Sequence, residues 1–269
     1  MKKLLTIAGS DSSGGAGVQA DLKTFAALGA YGMSCITALT AQNTTGVTAI
    51  ADTAPEMVTA QLAAVYEDVP PDAVKMGMLA NGAVAGAAAD FLAAHRGAPV
   101  VVDPVMSATS GAVLLEEEAI QVYREKLFPL AAVVTPNMPE AEVLAGMTIR
   151  TEADMQEAAR RIIAFGCGAV LVKGGHRGAD ALDVLLAADG FHEFPGEKID
   201  TANTHGTGCT LSSAIAVYLA EGASVPEAAA KAKAYLTGAI RGGRTRSVGH
   251  GHGPVDHFWL YGDRWGRME

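Results

Sequence analysis

The stretch Leu4–Phe25, LLTIAGSDSSGGAGVQADLKTF, contains in order the three elements that the rest of the chain repeats. Its first part, LLTIAG, is a short apolar run that predicts a buried strand. The glycine- and serine-rich residues 10–17 predict a loop, and Val18, Leu22 and Phe25 then recur at helical spacing. A strand, a loop and a helix in this order form the repeating unit of a parallel α/β sheet.

The same order continues towards the end of the chain. Apolar runs predict strands at residues 31–39, 73–79, 98–106, 131–137 and 168–175, and helical periodicity predicts helices at 54–69, 83–95, 151–166, 206–222 and 224–240. Residues 181–196 predict a hairpin with Asp189 and Gly190 in its turn. We expect one α/β domain over residues 1–269, with a mostly parallel central sheet and helices on both faces.

The composition and charge of the chain limit what it can bind. Of the 269 residues, 49% are hydrophobic and 18% charged, which suits a globular protein with a large core. The net charge is −9 and no long Lys/Arg run occurs, so we expect no nucleic-acid partner. No apolar stretch reaches the roughly 18 residues that span a bilayer, so we expect a cytoplasmic protein without a membrane segment. Three widely spaced cysteines predict reduced thiols, with Cys35 and Cys167 buried as small apolar residues.

Sites in parallel sheets lie beyond the carboxyl ends of the strands, so the loops after the predicted strands hold the candidate residues. In THGTGC, Gly206 and Gly208 bracket Thr207 just before an apolar helix, where unpaired backbone N–H groups can hold a phosphate. The alternative is that these glycines only form a tight turn. Cys209 follows in the first helical turn, where we expect the helix dipole to lower its pKa below about 8.5 and allow it to act as a base. For Cys209, burial as a small apolar residue is the alternative.

Acidic and amide side chains follow two other predicted strands. Asn137 and Glu140 lie one helical turn apart, so we expect both to face one hydrated cation. Asp103 ends a very apolar strand, where an unpaired charge is costly. Because Mg²⁺ keeps several waters and needs only one or two carboxylates besides substrate phosphates, these residues and the phosphate loop predict a metal and nucleotide site. Helix capping or a surface ion pair is the alternative for each acid alone.

Two further loops carry weaker signals. Lys173 and His176 lie at another strand end as candidate counter-charges for nucleotide phosphates, with a solvated lysine as an equal alternative. The loop GSDSSGGAG lacks both the glycine spacing of a dinucleotide-binding turn and the Gly-Lys-Ser/Thr of a P-loop. We interpret it as a flexible flap over a small substrate, with Asp11 and Asp21 at its ends, or else as a solvent loop.

Seven motifs together resemble a known enzyme family. They are TIAGSDSSGGAGVQADLKTF, TAQNTTGV, KMGML, VDPVM, TPNMPEAE, VKGGH and NTHGTGCTLSSAIA, and the resemblance extends from about Leu4 to GHGHGPVDHF. On these motifs the chain resembles the bacterial hydroxymethylpyrimidine and phosphomethylpyrimidine kinases of thiamine biosynthesis, a branch of the ribokinase-like enzymes. The resemblance implies a ribokinase-like three-layer α/β/α fold, ATP and Mg²⁺ as cofactors, a monovalent cation as an optional addition, and a homodimer.

The resemblance also implies roles for particular residues. Cys209 takes the place of the aspartate base in the Gly-x-Gly-Asp motif of most ribokinase-like kinases, and the backbone of Gly206, Thr207 and Gly208 forms the anion hole. The further assignments are Asp21, Gln42, Met78 and Val105 for the pyrimidine, Asn137 with Glu140 for metal and phosphate, and Lys173 with Gly175 for the nucleotide. We group Asn137 with the nucleotide and Asp103 with the metal.

The leading interpretation is a kinase that phosphorylates 4-amino-5-hydroxymethyl-2-methylpyrimidine and then its monophosphate. A pyridoxal or pyridoxine kinase is the nearest alternative, although the amide of Gln42, which both donates and accepts, favours the aminopyrimidine. A non-catalytic pyrimidine-binding regulator is an alternative of another class, and a dehydrogenase is disfavoured by the missing glycine turn. After VDPVM the family often has a basic residue and then Ser-Gly-Asp, whereas Thr109 and Ala112 here are uncharged, so we give little weight to a phosphate contact from that loop.

Overall fold

The computed structural model describes residues 1–106, 117–175 and 181–262. Within these ranges nine strands form one sheet: β1 (Lys3–Asp11), β2 (Tyr31–Asn43), β3 (Gly46–Asp52), β4 (Ala73–Met76), β5 (Val100–Val102), β6 (Ala131–Val134), β7 (Val170–Val172), β8 (Asp183–Ala187) and β9 (Gly190–Phe194). Their spatial order is β3-β2-β1-β4-β5-β6-β7-β8-β9. The six central strands, β2, β1, β4, β5, β6 and β7, pair in parallel. Strand β3 at one edge and strands β8 and β9 at the other add antiparallel pairs. The prediction of a mostly parallel sheet is confirmed.

The described residues form eight α-helices, which cover both faces of the sheet: α1 (Gly17–Ala27), α2 (Pro55–Asp68), α3 (Gly82–Ala94), α4 (Glu117–Val122), α5 (Met138–Ala145), α6 (Glu152–Ile163), α7 (Thr207–Ala220) and α8 (Val225–Gly243). Helices α1, α7 and α8 pack on one face, and α2 to α6 pack on the other. In β5, Val101 packs in the core under α1, α7 and α8, while Val100 and Val102 pack in the core under α2 to α6. Because successive strand residues point to opposite faces, an all-apolar strand requires a helical layer on each side. The three-layer α/β/α fold is therefore confirmed.

The structure differs from the sequence predictions at the edges of the sheet. Strand β2 extends to Asn43 and returns as β3, which the sequence analysis did not predict. The residues of β3 are exposed or half-buried, so this strand lacks the apolar run that marks the others. The hairpin of β8 and β9 is confirmed, but its loop residues are Ala188 and Asp189, because Gly190 already pairs with Ala187.

The short parallel strands bring the loops that follow them to one edge of the sheet. The predictions for Thr109, Ala112 and His176 lie outside the described residues. Cys35 and Cys167 are buried, as expected. Over the ranges that the structure describes, none of the helices combines the length and the apolar character that crossing a membrane requires.

Candidate active site

A cavity of about 600 Å³ lies at the carboxyl ends of the parallel strands. Loops that follow several strands meet in it, as expected for a parallel sheet. Twelve of the thirteen predicted site residues line this cavity: Gln42, Met78, Asp103, Val105, Asn137, Glu140, Lys173, Gly175, Gly206, Thr207, Gly208 and Cys209. The exception is Asp21.

The loop before α7 has a backbone geometry that suits an anion. Gly206 is the N-cap residue of α7 and has a φ of 81°, a left-handed conformation that favours glycine. A Cβ atom at Gly206 would overlap the carbonyl oxygen of Gly15 in the opposite loop. A Cβ atom at Gly208 would lie 3.3 Å from both Oδ2 of Asp103 and Nζ of Lys173. Glycine therefore brings the start of α7, with its free N–H groups and positive dipole end, close to these charges.

Cys209 lies in the first turn of α7 and on the cavity wall, as predicted, but its pKa is not lowered. Burial raises the pKa of the thiol to about 11, although the charge of Lys75 and the backbone N–H of Gly17 oppose the rise. The expectation of a thiol pKa below about 8.5 is therefore wrong, because desolvation outweighs the helix end and the lysine. In the unliganded protein Cys209 is a neutral thiol at pH 7, with a small ionised fraction.

Asp21 does not line the cavity, and its contact with the pyrimidine stays a prediction. Its side chain is fully buried in α1, and both carboxylate oxygens lie 2.8 Å from Nζ of Lys75. The hydroxyls of Thr6 and Ser213 donate to the same carboxylate at 2.6 and 2.7 Å. Lys75 instead lies in the cavity wall, and the sequence signal for it was a charged residue inside the apolar run 73–79.

Three ionisable side chains of the cavity wall, Asp103, Glu140 and Lys173, interact with one another. Nζ of Lys173 is 2.7 Å from Oδ1 of Asp103, and the hydroxyl of Thr135 donates to the same oxygen at 3.1 Å. Burial alone would lower the pKa of Lys173, but the charges of Asp103 and Glu140 outweigh it and raise the pKa. Burial raises the pKa of Glu140 to about 7; Lys173 opposes this rise and Asp103 adds to it. The site thus holds two carboxyl groups, and the single ammonium group of Lys173 interacts electrostatically with both.

Asn137 and Glu140 form a capping box at the start of α5. The side-chain oxygen of Asn137 accepts from the backbone N–H of Glu140 at 2.9 Å, and Oε2 of Glu140 accepts from the backbone N–H of Asn137 at 2.8 Å. The expectation that both side chains face one cation is therefore wrong for Asn137, whose oxygen caps the helix. The structure shows that Glu140 caps the helix, which was the alternative given for this acid.

The donor set nevertheless fits a hydrated magnesium ion. Nowhere in the described ranges do three or more His, Cys, Asp or Glu side chains gather into a group that could enclose a metal. Mg²⁺ does not need such a cage, because it binds through one or two carboxylates, waters and the phosphates of a nucleotide. Asp103 and Glu140 supply two carboxylates on the cavity wall beside the anion loop.

The cavity wall also carries Gln42, Met78 and Val105, one amide and two apolar side chains. The hydroxyl of Ser12 donates to the carbonyl oxygen of Gln42 at 2.7 Å and accepts from its N–H at 2.8 Å. The hydroxyl of Thr40 donates to Oε1 of Gln42 at 3.1 Å. The protein therefore orients both the backbone and the amide of Gln42, as a small polar aromatic ligand would require.

His205, which the sequence analysis did not single out, joins two loops of the site. Its Nε2 atom lies 2.8 Å from Oδ2 of Asp11, and its ring packs against Gly15. Burial alone would raise the pKa of Asp11, but hydrogen bonds from His205, Ser13 and Ala16 outweigh it and hold the pKa well below its usual range. The loop interpreted as a flap is thus held by hydrogen bonds in this state, and its closure over a substrate stays a prediction.

The cavity is also lined by residues that the sequence analysis did not assign. Asp183 in β8 accepts from the N–H of Gly174 at 2.9 Å and pairs with Nζ of Lys233 at 2.6 Å. Apolar side chains among these residues are Ile199, Leu236 and Ile240. Apolar side chains with a few fixed polar groups, in the same cavity as the phosphate loop, suit the nucleoside part of a nucleotide.

Comparison with known proteins assigns the chain to a family. Residues 11–256 match the family model described as phosphomethylpyrimidine kinase. The chain belongs to the phosphomethylpyrimidine kinase family. The resemblance seen in the seven sequence motifs is thereby confirmed.

Individual relatives match nearly the whole chain. The chain is 52% identical over 256 residues to the hydroxymethylpyrimidine/phosphomethylpyrimidine kinase of Rhizobium meliloti, and the aligned region covers 94% of this chain and 96% of the relative. It is 53% identical over 255 residues to the thiamine biosynthesis bifunctional protein ThiED of Geobacter sulfurreducens, covering 94% of this chain and 52% of that relative. The chain thus spans about half the length of the bifunctional relative. An ADP complex of Bacillus subtilis pyridoxal kinase is similar in structure, with a TM-score of 0.88, 40% identity, and coverage of 97% of this chain and 99% of that one.

Proposed function

We propose that this chain is an ATP-dependent kinase that phosphorylates 4-amino-5-hydroxymethyl-2-methylpyrimidine and then its monophosphate, giving the diphosphate used in thiamine biosynthesis. The observation that carries the proposal is that one cavity connects Cys209 at the start of α7 with the charged residues around Asp103 and with Gln42. Family membership supports the same pair of reactions. We further propose that residues 1–269 act as one kinase domain, since the described strands form a single sheet.

The phosphate donor is ATP with Mg²⁺. Lys173, Gly175 and Asn137 would contact the nucleotide, and Glu140 with Asp103 would hold the ion through its waters. Mg²⁺, when bound, would neutralise charge on the transferring phosphoryl group. The ADP complex of the similar Bacillus subtilis pyridoxal kinase supports a nucleotide in this fold. A dependence on a monovalent cation stays a prediction.

The acceptor would lie against Gln42, Met78 and Val105, with its hydroxymethyl oxygen towards Cys209. In the first transfer this oxygen attacks the γ-phosphorus, the bond from phosphorus to ADP breaks, and the hydroxyl proton passes to the ionised form of Cys209. Because the transition state is loose, the proton leaves late, and positioning by the α7 loop supplies most of the acceleration.

The second transfer has a different proton requirement. Its acceptor is a phosphate oxygen, and a phosphate monoester has a second pKa of about 6, so the acceptor is already ionised at neutral pH. A base is therefore unnecessary for the second transfer. The anion loop at Gly206 and the charge of Lys173 would still be needed, because both transfers place negative phosphate groups in the same cavity.

We also propose that the enzyme is a cytoplasmic homodimer. In the described sheet β3 is an edge strand, and exposed apolar side chains, Ile50 of β3 and Leu39 of β2, lie beside it. An exposed edge with apolar side chains favours pairing with a second chain. Free thiols, including Cys209, suit a reducing compartment. Light scattering of the purified protein tests the dimer, and a monomeric mass would contradict it.

A parallel acceptor assay tests the proposed reaction. Purified protein receives ATP and Mg²⁺ with the hydroxymethylpyrimidine, its monophosphate or pyridoxal, and mass spectrometry identifies the products. We expect mono- and diphosphate from the first acceptor and diphosphate from the second. Pyridoxal phosphate as the sole product would favour the pyridoxal kinase. The absence of product with all three acceptors would favour the non-catalytic regulator.

A further inference from the structure

Lys75 is a buried charge in the cavity wall to which the proposed reaction assigns no role. It lies in β4 with no exposed surface, and its Nζ atom is 2.8 Å from both carboxylate oxygens of Asp21. Burial alone would lower its pKa, but the charges of Asp21, Cys209 and Asp103 outweigh it and raise the pKa. Lys75 therefore stays protonated at every pH at which the enzyme works.

Asp21 is held so that it orients Lys75. The hydroxyl of Thr6 donates to Oδ2 of Asp21, and the hydroxyl of Ser213 donates to Oδ1. Ser213 lies four residues after Cys209 on α7, so the two side chains lie on the same face of the helix, one turn apart. The ion pair of Lys75 and Asp21 is thereby joined to the helix that carries the proposed base.

Five groups from the surrounding elements act on the sulfur of Cys209, which lines the same cavity as Lys75 and Lys173. Lys75 of β4, Lys173 after β7 and the backbone N–H of Gly17 at the start of α1 favour its ionised form. The carboxylates of Asp21 in α1 and Asp103 after β5 disfavour it. Lys75 and Lys173 are therefore the two cations that stabilise a thiolate, and Lys75 is the one joined to α7 through Asp21 and Ser213.

We propose that Lys75, oriented by Asp21, is a positive charge that favours the ionised form of Cys209, the form that serves as the base of the first phosphoryl transfer. The consequence for catalysis rests on the proposed function, whereas the ionisation of Cys209 is a property of the protein alone. Lys75 and Asp21 act through Cys209 and are positioning residues. Asp21, which the resemblance assigned to the pyrimidine, contributes to the reaction by holding Lys75 in position.

The proton balance of the step is simple. Before the transfer, the thiol of Cys209 releases its proton to solvent. The thiolate then takes the proton of the acceptor hydroxyl as the new oxygen–phosphorus bond forms and the bond from phosphorus to ADP breaks. Cys209 ends as a thiol, Lys75 remains protonated throughout, and one proton is released to solvent for each phosphoryl group transferred.

A purely structural role is the competing explanation for the pair. Buried ion pairs are weak contributors to stability, because apolar residues of similar volume can often replace them. A structural role would make the reactivity of Cys209 depend only on how well the fold is kept. An electrostatic role makes it depend on the sign of the charge removed, and this difference can be measured.

Alkylation of Cys209 by iodoacetamide measures its thiolate fraction without any kinase reaction. Cys35 and Cys167 are buried, and burial raises the pKa of each to about 12, so they serve as slow internal references in peptide mapping by mass spectrometry. In Lys75→Met we expect the thiol pKa to rise and labelling between roughly pH 8 and 10 to fall about tenfold. In Asp21→Asn we expect faster labelling than in the unaltered protein, because a negative charge is removed.

The opposite signs separate the two explanations. A loosened structure would expose Cys209 and speed its labelling in both variants. Lys126→Met is the matched control, since Lys126 forms an exposed ion pair with Asp90, and it should label like the unaltered protein. If a single variant fails to fold, the Lys75→Met/Asp21→Asn double variant removes both charges together and should still label more slowly than the unaltered protein.

Unchanged labelling in Lys75→Met, or a change of the same sign in Lys75→Met and Asp21→Asn, would overturn the proposal. Phosphorylation of the hydroxymethylpyrimidine is measured separately in the same preparations. Labelling shifts of the expected signs without any phosphorylation would contradict the proposed function and leave the effect of Lys75 on Cys209 intact. Phosphorylation with unchanged labelling would support the proposed function and contradict the effect of Lys75 on Cys209.

Discussion

Nζ of Lys173 lies 2.7 Å from Oδ1 of Asp103, and both side chains are largely buried. The Cα of Gly208, at the start of α7, is close enough to both that a Cβ there would lie 3.3 Å from each. Each side chain of the pair therefore neutralises the charge of the other before any ligand binds. In the proposed function, Lys173 would contact the phosphates of ATP and Asp103 would hold Mg²⁺ through its waters.

Lys173→Met is expected to lower kcat/KM for ATP roughly a hundredfold, because the phosphates lose a counter-charge that acts in a water-poor site. The variant also leaves Asp103 buried without its cation. Steady-state kinetics with varied ATP, together with calorimetric nucleotide binding, measure the effect. Lys126→Met, which removes an exposed lysine, is the control and should match the unaltered protein. An unchanged kcat/KM in Lys173→Met would contradict the assignment.

Magnesium dependence should vary with pH through Glu140. Because burial raises the pKa of Glu140 to about 7, the carboxylate is ionised above that pH and protonated below it. Protons and Mg²⁺ therefore compete, and the Mg²⁺ concentration needed for half-maximal rate should rise as the pH falls below about 7. Glu140→Gln keeps an acceptor for the helix cap, and its requirement for Mg²⁺ should be high and nearly independent of pH. An equal pH dependence in both proteins would exclude Glu140 from the metal site.

Gly206→Ala is expected to abolish turnover and to lower the free energy of unfolding. The left-handed φ alone costs about 1 kcal/mol for alanine, and the overlap with Gly15 adds roughly 1–3 kcal/mol. Gly222→Ala is the matched control, because Gly222 also has a positive φ, of 95°, but open space around its Cα. It should lose about 1 kcal/mol and keep full activity. Equal losses of stability and activity in the two variants would contradict the close approach of the loops.

Asp11 should contribute stability that depends on pH. Hydrogen bonds hold its pKa below the usual value, so the contribution is fully present above about pH 4, near the unfolded-state pKa, and is lost as the pH falls further. Asp11→Asn should therefore unfold at a lower temperature than the unaltered protein at pH 7, and the gap should narrow below about pH 4. Thermal unfolding at a series of pH values measures this. A gap that stays constant with pH would show that the charge of Asp11 does not matter.

The parallel core could be predicted because its signal is local. Runs such as Val100–Val102 are too apolar for a sheet with a wet face, and the segments between them have helical period. Since strands of this kind end at one edge, the loops of Asp103, Lys173 and Gly206 were expected together, and the structure brings them together. Strand β3 was missed because its exposed residues carry no such run.

The roles beneath the cavity surface could not be predicted from local pattern. The contacts of Asp21 with Lys75 and Ser213 join residues 54 and 192 positions apart, which only the folded chain brings together. The pKa of Cys209 depends on how much protein surrounds the thiol, and that burial outweighs the helix end visible in the sequence. The capping box of Asn137 and Glu140, by contrast, follows from their spacing and was open to prediction.

The central claim is that one cavity carries out both transfers and that Cys209 is needed as a base only in the first. The most direct measurement follows the two half-reactions separately in the unaltered protein and in Cys209→Ala, with ATP binding as the control for folding. We expect the variant to bind ATP, to phosphorylate the hydroxymethylpyrimidine at least about a hundredfold more slowly, and to convert the monophosphate to the diphosphate at nearly the unaltered rate. Undiminished phosphorylation of the hydroxymethylpyrimidine by Cys209→Ala, or no diphosphate from the unaltered protein, would contradict the account.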